Sequence, residues 1–405
     1  MNVVIAQSGG PTGVINASLL GVYRQARQWP QVETVLGALH GVEGILQNRL
    51  VPLNGQLEEE EQQALLRQTP AAALGSCRYK LPAVEENPAV YETIRRVLEQ
   101  HDVGAFFYIG GNDSMDTVDK LAAYFAAVHC PIRVMGVPKT IDNDLVDTDH
   151  TPGYGSAAKY VATVMREIIR DCTVYELKSV TIVEIMGRDT GWLTLAAALP
   201  RLYGEAAPHL VYLPEVPFSE EQFVQDVRRV QAHSDTVIVA VSEGVRPAEE
   251  SCCRQEATDG FGHRQLAGAG KCLEEIVRRR LGCKVRAVEL NTPQRCAAHV
   301  ASAVDVQEAE QAGAAAVKAA MEGATGQMVS FSRSDGPYRL TCETVPVSQV
   351  ANRVKYVPRS WINEAGNDVL PAALEYVRPL VEGALPLRTE GGLPCHFRLR
   401  IASDR

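Results

Sequence analysis

Short apolar runs alternate with longer stretches of helical periodicity along most of the chain. This pattern predicts an α/β fold with mainly parallel sheets, because parallel strands are buried on both faces and are connected by helices. The predicted strands are Val3–Gln7, Ala105–Ile109, Ile132–Val137, Val180–Ile185, Leu210–Leu213, Thr236–Val241 and Arg286–Leu290. The predicted helices are Val14–Arg27, Ser114–Val128, Ser156–Arg170, Ser219–His233, Gly270–Arg280 and Val306–Met321. Ser219 is followed by two glutamates, which predicts an N-cap.

Polar residues cluster in two turns that each follow a predicted strand. Thr140-Ile141-Asp142-Asn143-Asp144 comes after Ile132–Val137, and Gly110-Gly111-Asn112-Asp113-Ser114 comes after Ala105–Ile109. Turns at the carboxyl ends of parallel strands share one edge of the sheet, which is where α/β proteins bind ligands. The two carboxylates of the first turn suit base catalysis or metal binding, and Lys139 before them suits an anionic substrate. The alternative is an Asx-turn, in which these side chains bond their own backbone.

A third turn, Ser8-Gly9-Gly10, joins the first predicted strand to the first predicted helix. Glycines let the backbone present N–H groups to a phosphate, and the helix N-terminus adds partial positive charge. An ordinary strand–helix turn is the alternative. The G-x-G-x-x-G fingerprint is absent from this turn and the Walker motif is absent from the chain, which argues against a nicotinamide enzyme and a P-loop kinase.

The composition is that of a globular enzyme, with 405 residues, 46% of them hydrophobic, and a net charge of −9. We expect no nucleic-acid or membrane partner for such an acidic chain. No segment approaches the roughly 20 apolar residues that span a bilayer, and no charged leader precedes the first strand, so we expect a cytoplasmic protein without a signal peptide. The ten cysteines are expected to be free thiols, and the polar residues 246–268 a surface excursion.

The motifs, taken together and in order, resemble those of the phosphofructokinase family, which phosphorylates the 1-hydroxyl of fructose 6-phosphate. The matching elements are Ser8–Asn16, Leu74–Arg78, Gly110–Asn112, Thr140–Asp144, Glu184–Arg188, Ser242–Gly244, Arg286 and Gln294–Arg295. The resemblance implies two similar Rossmann-like, three-layer domains with mainly parallel sheets. We expect a phosphoryl-donor domain at residues 1–140, completed by later segments, a sugar-phosphate domain at 141–330, and a C-terminal extension at 331–405.

The resemblance also implies a role for each matching residue. Asp142 would be the general base, since transfer to a sugar hydroxyl needs a proton acceptor. The predicted catalytic residues are Asp142, Lys139 and Arg188. The predicted donor-binding residues are Gly9, Gly10, Arg78, Asp113 and Ser114. The predicted sugar-binding residues are Thr140, Ile141, Asp142, Asp144, Met186, Gly187, Arg188, Glu243, Arg286, Thr292 and Arg295. Mg²⁺ is the expected cofactor, with Asn112 and Asp113 as its ligands.

Two positions depart from the ATP-using branch of the family and resemble its pyrophosphate-using branch. Asp113 and Lys139 stand where the ATP-using branch has glycines. A carboxylate at residue 113 fills the space for the ATP α-phosphate and repels its charge, whereas Lys139 can neutralise pyrophosphate. Two unit charges about 4 Å apart interact by roughly 4 kcal/mol at an effective dielectric of 20, which is enough to decide the donor. Val350–Pro358 and Ser360–Ile362 also resemble tail elements of that branch.

The sequence therefore predicts reversible transfer of a phosphoryl group from pyrophosphate to fructose 6-phosphate, by a homodimer or homotetramer. The first alternative is a family member that uses ATP or that acts on sedoheptulose 7-phosphate. The distant alternative is a non-catalytic sugar-phosphate sensor. Asp113 and Lys139 argue against ATP, and Asp142 argues against a sensor.

Overall fold

The computed structural model describes residues 1–174, 176–247 and 268–401. Its strands are β1 Asn2–Gln7, β2 Val35–Ala38, β3 Leu50–Pro52, β4 Val103–Gly110, β5 Arg133–Pro138, β6 Ser179–Ile185, β7 Leu210–Tyr212, β8 Thr236–Ser242, β9 Lys284–Glu289, β10 Gln327–Arg333, β11 Leu340–Pro346, β12 Thr389–Glu390 and β13 Leu393–Pro394. Its α-helices are α1 Ile15–Ala26, α2 Gly41–Leu46, α3 Glu60–Gln68, α4 Pro88–Gln100, α5 Asn112–Ala127, α6 Tyr154–Cys172, α7 Trp192–Ala196, α8 Glu220–Gln231, α9 Ala269–Leu281, α10 Pro293–Cys296, α11 Ala303–Met321, α12 Val347–Val350 and α13 Pro371–Val377.

Every predicted strand and helix is present, with ends displaced by a few residues. The predicted N-cap is also confirmed, because the Ser219 hydroxyl accepts a hydrogen bond from the Gln222 N–H at 3.3 Å. Strands β2, β3, β10, β11, β12 and β13 were not predicted. Most of the predicted surface excursion, residues 248–267, lies outside the described residues, as do Cys252 and Cys253.

The strands form two large sheets, which confirms the α/β class. The first has the order β11-β10-β5-β4-β1-β2-β3, and only its edge strands β11 and β3 run antiparallel to their neighbours. The second has the order β7-β8-β6-β9 and is parallel throughout. A small hairpin pairs β12 with β13.

The chain returns late to the first sheet. Strand β10 pairs with β5, with Gln327 opposite Met135. Helix α11 packs closely on α1, because glycines remove the side chains at their contact: a Cβ on Gly21 would lie 2.1 Å from the Glu310 carbonyl oxygen, and one on Gly313 would lie 2.2 Å from that of Ser18. We therefore propose that Gln327–Pro346 belongs to the first domain as the later segment that completes it.

The core consists of apolar side chains on both faces of each sheet. Strand β1 is buried from Val3 to Gln7, and β8 is buried along its whole length. Of the ten cysteines, seven are free thiols, whereas Cys272 is disulfide-bonded, which corrects the expectation of a free thiol there. Among the residues that the structure describes, no helix is long and apolar enough to cross a bilayer.

Candidate active site

Three turns meet at the carboxyl ends of β1, β4 and β5, which are neighbours in the first sheet. The Lys139 N–H donates to the Gly110 carbonyl at 2.9 Å, joining the turns after β5 and β4. The Ser114 hydroxyl donates to the Ser8 hydroxyl at 3.0 Å, joining the turns after β4 and β1. Ser114 is buried, so this contact gives it a role in holding the turns together, and its predicted contact with the donor stays a prediction.

The glycine turn after β1 is faced by two cations. Gly9 has a left-handed φ of 75°, and a Cβ there would lie 3.3 Å from the Lys139 ammonium. A Cβ on Gly10 would lie 3.5 Å from Nη1 of Arg295. The Cys77 carbonyl accepts from the Gly9 N–H at 3.1 Å, which brings the next residue, Arg78, to the same turn. Both Gly9 and Gly10 therefore leave room at a positively charged surface.

Lys139 is a buried cation at the centre of these turns. Lys139 is 3% exposed, and its ammonium donates to the Gly10 carbonyl at 2.7 Å. Burial lowers the pKa of Lys139 to about 8, although the neighbouring Asp142 and Asp144 carboxylates oppose the change. An ammonium withdrawn from water is stabilised by anionic partners, so this position suits a bound phosphate.

The loop between β5 and α6, Lys139–Gly153, carries the predicted carboxylates and is called the acidic loop below. Burial raises the pKa of Asp142, and Arg188, Lys139 and Arg295 oppose that rise. Burial, with the Asp142 charge, raises the pKa of Asp144 to about 6. Both shifts favour the protonated form, so each carboxyl takes up a proton more readily than an ordinary aspartate does.

The Asx-turn alternative applies to the loop only in part. The Thr140 hydroxyl accepts from the Asp142 N–H at 3.1 Å, and the Asn143 side-chain oxygen accepts from the Thr151 N–H at 3.1 Å. The Thr140 hydroxyl also hydrogen-bonds the Asp142 carboxyl and opposes the rise in its pKa, so the predicted contact of Thr140 with a substrate stays a prediction. The Ile141 side chain is buried in the core of the second sheet, so only its backbone can contact a sugar.

The turn after β6 faces Asp142 from the second sheet. Arg188, with a left-handed φ of 52°, places its Nε 3.7 Å from Oδ2 of Asp142. One oxygen of Glu243, at the end of β8, accepts from the N–H groups of Gly187 at 3.1 Å and Arg188 at 2.9 Å. Burial raises the pKa of Glu243 to about 7, and the two N–H groups oppose that rise. Glu243 thus shapes the turn that presents Arg188, besides any contact with a sugar hydroxyl.

The loop after β9 completes the site. Gln294 is buried and accepts from the Met186 N–H at 3.2 Å, so it ties this loop to the turn after β6. The Arg295 Nε is buried and has no hydrogen-bond partner among the described residues, so it can donate to an anionic ligand. Thr292 is exposed, and its N–H donates to the Asn291 side chain at 2.8 Å.

Arg286 is not brought to the other predicted sugar-binding residues. It lies within β9, opposite Thr181, well before the carboxyl end of the strand where the loops converge. Its exposed guanidinium lies 3.9 Å from Asp171 at the end of α6. Within one chain, Arg286 therefore stands apart from Asp142 and Arg188, and its predicted contact with a sugar phosphate stays a prediction.

The predicted metal ligands have different surroundings. The amide of Asn112 is occupied by the C-terminal tail, because its oxygen accepts from the Asn352 N–H at 2.6 Å and its nitrogen donates to the Arg353 carbonyl. Asp113 lies in the first turn of α5. In the part of the chain that the structure describes, no three His, Cys, Asp or Glu side chains are grouped to hold a metal ion.

Several residues of the site escaped prediction from the sequence. Thr190 donates to the Asp142 carbonyl at 3.3 Å, and Lys355 donates its N–H to the Asp144 carbonyl at 2.8 Å. Glu215 accepts from the N–H of Gly191 at 2.9 Å, two residues beyond the Arg188-Asp189 pair. Gln294 could have been predicted from the sequence, since it precedes Arg295 in a motif that matches the family. The C-terminal tail resembles that of the pyrophosphate-using branch, but this resemblance did not indicate a role for its residues.

Comparison with known proteins identifies the family. The phosphofructokinase family model matches residues 2–320. Over 98% of this chain and 96% of the relative, the sequence is 40% identical to the pyrophosphate--fructose 6-phosphate 1-phosphotransferase of Xanthomonas campestris. With similar coverage it is 39% identical to the protein of the same name from Methylococcus capsulatus. The crystal structure of a pyrophosphate-dependent phosphofructokinase from Marinobacter aquaeolei superposes with a TM-score of 0.86 at 35% identity, covering 98% of this chain and 96% of that one. The chain belongs to the phosphofructokinase family.

Proposed function

We propose that the chain transfers a phosphoryl group reversibly from pyrophosphate to the 1-hydroxyl of fructose 6-phosphate, giving fructose 1,6-bisphosphate and phosphate. The observation that carries the proposal is the buried Lys139 ammonium, 2.7 Å from the Gly10 carbonyl and close to Gly9. A buried cation on a phosphate-binding turn favours a small, highly charged donor. The relatives named above, which are similar in sequence to this chain over nearly its whole length, support the same reaction.

The acceptor hydroxyl would lose its proton to Asp142. The raised pKa of Asp142 suits a general base, because the carboxylate must be ionised before transfer and must hold the proton afterwards. Arg188, 3.7 Å away, keeps Asp142 oriented and opposes the rise in its pKa. Beside Asp142, the Arg188 guanidinium would also stabilise the oxygens of the transferred phosphoryl group.

The sugar phosphate would lie between the two sheets. Met186 and Gly187, in the turn that Glu243 holds, would contact the sugar, and Arg295 would offer its buried Nε to a phosphate oxygen. A buried N–H without a hydrogen-bond partner is costly unless an anion accepts from it. The substrate therefore completes the hydrogen bonding of this corner.

Magnesium fits this site as an ion shared with pyrophosphate. The described residues form no cage of three carboxylates or similar ligands, and Mg²⁺ commonly binds through one or two carboxylates, waters and substrate phosphates. We propose Asp113 rather than Asn112 as the protein ligand, because Mg²⁺ prefers a charged carboxylate oxygen to the amide oxygen that Asn112 offers. The ion would neutralise phosphate charge during transfer.

We further propose a homodimer or homotetramer in which Arg286 acts in a neighbouring copy. Within its own chain Arg286 is exposed and paired with Asp171, away from Arg188. An arginine that binds the sugar phosphate would therefore have to reach the site of another subunit.

Product analysis tests the proposed reaction. The purified protein is incubated with Mg²⁺, pyrophosphate and fructose 6-phosphate, and ³¹P NMR follows the phosphorus signals. We expect fructose 1,6-bisphosphate and phosphate in equal amounts, and pyrophosphate when the two products are supplied instead. Parallel reactions with ATP and with sedoheptulose 7-phosphate test the other donor and acceptor. Release of phosphate without a sugar bisphosphate would refute the proposal.

A further inference from the structure

A short segment of the C-terminal tail, Asn352–Val357, contacts the turn after β4, the acidic loop and the loops after β6 and β7, and is called the bridging segment below. It follows β11 and α12, and it lies across the carboxyl ends of both sheets. We infer that the bridging segment sets the position of the acidic loop relative to the phosphate-binding turns, with Lys355 as the principal positioning residue. The inference rests on the proposed function, since it concerns the transfer step at the same site.

The first contact of the bridging segment is with the turn after β4. The Asn352 N–H and the Arg353 carbonyl bond the two ends of the Asn112 amide. The Asn352 side chain donates to Oδ1 of Asp116, one turn further along α5, at 3.0 Å. Asn352 adopts a left-handed φ of 61°, a conformation that asparagine tolerates better than most residues. The segment is thus docked by side chains on α5.

The central contact is between Lys355 and the acidic loop. The Lys355 N–H donates to the Asp144 carbonyl at 2.8 Å. Its ammonium donates to the carbonyl oxygens of Thr148 at 3.1 Å and Asp149 at 2.8 Å. One residue therefore grips the loop at Asp144 and again four residues later. Asp144 is two residues from Asp142, so a shift of the loop backbone moves the general base.

The third contact is with the loops of the second sheet. The Lys355 carbonyl accepts from Nε1 of Trp192 at 2.8 Å, and the ammonium lies 5.0 Å from the centre of the Trp192 ring. The Val357 N–H donates to Glu215 at 3.0 Å, on the same oxygen that accepts from Gly191. These loops also carry Arg188, so the bridging segment spans donor and acceptor sides.

A second tail residue supports the same loop from behind. The Tyr376 hydroxyl donates to the Asp149 carbonyl at 2.6 Å and accepts from the Asn143 side chain at 2.9 Å. Asn143 in turn accepts from Thr151 and lies between Asp142 and Asp144.

The ammonium of Lys355 is charged at neutral pH. Burial lowers the pKa of Lys355 to about 8, and the charges of Asp149 and Asp144 oppose that decrease.

A positioning role predicts a particular kinetic pattern. An error of about 1 Å in the placement of a reacting group costs about 10²-fold in rate, whereas binding of a remote phosphate depends little on it. Lys355→Met should therefore lower kcat by about 10- to 100-fold and change KM for both substrates by less than about threefold. A purely structural lysine would lower the melting temperature without this selective loss of kcat.

Lys159 provides a matched control. It lies on α6, and its ammonium also donates to two backbone carbonyls, those of Ala301 at 3.2 Å and Gly383. It touches neither the acidic loop nor the bridging segment in these contacts. Lys159→Met should keep kcat within about twofold of the parent while removing a comparable pair of bonds.

The experiment measures kcat, both KM values and amide hydrogen exchange for the parent, Lys355→Met and Lys159→Met. We expect faster exchange at the Thr151 N–H in Lys355→Met alone, with the selective loss of kcat. Equal kcat in the two variants, or a rise in KM at unchanged kcat, would overturn the inference. If the parent does not turn over pyrophosphate, the proposed function fails, and the exchange comparison still decides the inference.

Asn112→Ala serves as a second variant should Lys355→Met fail to fold. It removes both side-chain bonds to the bridging segment, so we expect a lower kcat and faster exchange in the acidic loop. The concentration of Mg²⁺ that gives half of the maximal rate should stay within about twofold of the parent. An increased Mg²⁺ requirement with unchanged loop exchange would make Asn112 a metal ligand and contradict the inference.

Discussion

Asp142 combines a buried carboxyl with three nearby cations. Burial raises its pKa, while Arg188, Lys139 and Arg295 favour the ionised form and keep the group available as a base. The balance is local, because an isolated buried carboxylate would remain protonated. The same cations face the place where phosphate charge would lie. One set of charges can therefore serve both the base and the donor.

Asp142→Asn tests this role, because asparagine keeps the size but cannot accept the proton. We expect kcat to fall by about 10²- to 10⁴-fold with little change in either KM. Steady-state kinetics on the folded variant, checked by circular dichroism, provides the measurement. Retention of a kcat within threefold of the parent would remove Asp142 as the base.

Deprotonation of Lys139 should produce the alkaline limb of the pH profile of kcat/KM for pyrophosphate. Its pKa is about 8 because of burial, so the ammonium is charged below this pH and loses its charge as the pH rises through it. We expect kcat/KM for pyrophosphate to decline above about pH 8, since this parameter reports groups of the free enzyme. The limb in kcat should lie at higher pH, because bound pyrophosphate stabilises the charged form. A flat profile of kcat/KM from pH 7 to 9.5 would contradict the assignment.

At the scale of elements, the acidic loop is held by a buried charge network. His150 is 1% exposed, and its ring nitrogens lie 2.7 Å from Asp149 and 2.8 Å from Glu308 on α11. Burial alone would lower the pKa of His150, but hydrogen bonds and charges of the two carboxylates outweigh it and raise the pKa. Arg333 on β10 also pairs with Asp149, at 2.8 Å. The network ties the loop to two elements that enter late in the chain.

His150→Gln should destabilise the fold by about 3–5 kcal/mol, because the buried Glu308 carboxylate loses its cation, whereas Asp149 keeps Arg333. A raised pKa in the folded state means that His150 contributes stability at pH values below its unfolded pKa, about 6.5. That contribution is lost as the pH rises through the folded value. We expect the difference in unfolding free energy between parent and variant to shrink from pH 6 to 8. Urea titrations at each pH measure it, and a constant difference would contradict a charged His150.

The alternation of apolar and helical segments was sufficient to predict the strands and helices that place the site. Strands β1, β4 and β5 are continuous apolar runs, and the turns that follow them are visible as polar clusters. Their convergence follows from parallel pairing alone. The family resemblance then added roles that no pattern could supply.

Contacts between distant segments could not be predicted from local pattern. Asn112 bonds the backbone of Asn352, and Lys355 bonds that of Asp144, across more than half of the chain in each case. Every residue has a backbone carbonyl, so the sequence does not show which carbonyls a lysine contacts. A lysine that donates to backbone carbonyls therefore cannot be distinguished by sequence from a surface lysine. Strand β10 was missed for a related reason, because its place beside β5 depends on the whole fold.

At the scale of the whole molecule, substitution of Arg286 distinguishes a site built by one subunit from a site shared between two subunits. If the guanidinium acts in a neighbouring subunit, Arg286→Ala should raise KM for fructose 6-phosphate by roughly 10-fold or more, and KM for pyrophosphate should move little. Mixing inactive Asp142→Asn with Arg286→Ala subunits, after dissociation and reassembly, should restore activity at low sugar concentration. Light scattering should give a dimer or tetramer. A monomer with an unchanged KM in Arg286→Ala would refute the shared site.

The choice of donor is the central claim, and one ratio tests it most directly: kcat/KM for pyrophosphate divided by kcat/KM for ATP, measured on one preparation with fructose 6-phosphate and Mg²⁺. Half of the roughly 4 kcal/mol between close charges corresponds to about 30-fold, so we expect a ratio of at least that size. Asp113→Gly, which removes the carboxylate that would oppose an α-phosphate, should lower the ratio. A parent ratio of one or less would contradict the assignment of pyrophosphate as the donor.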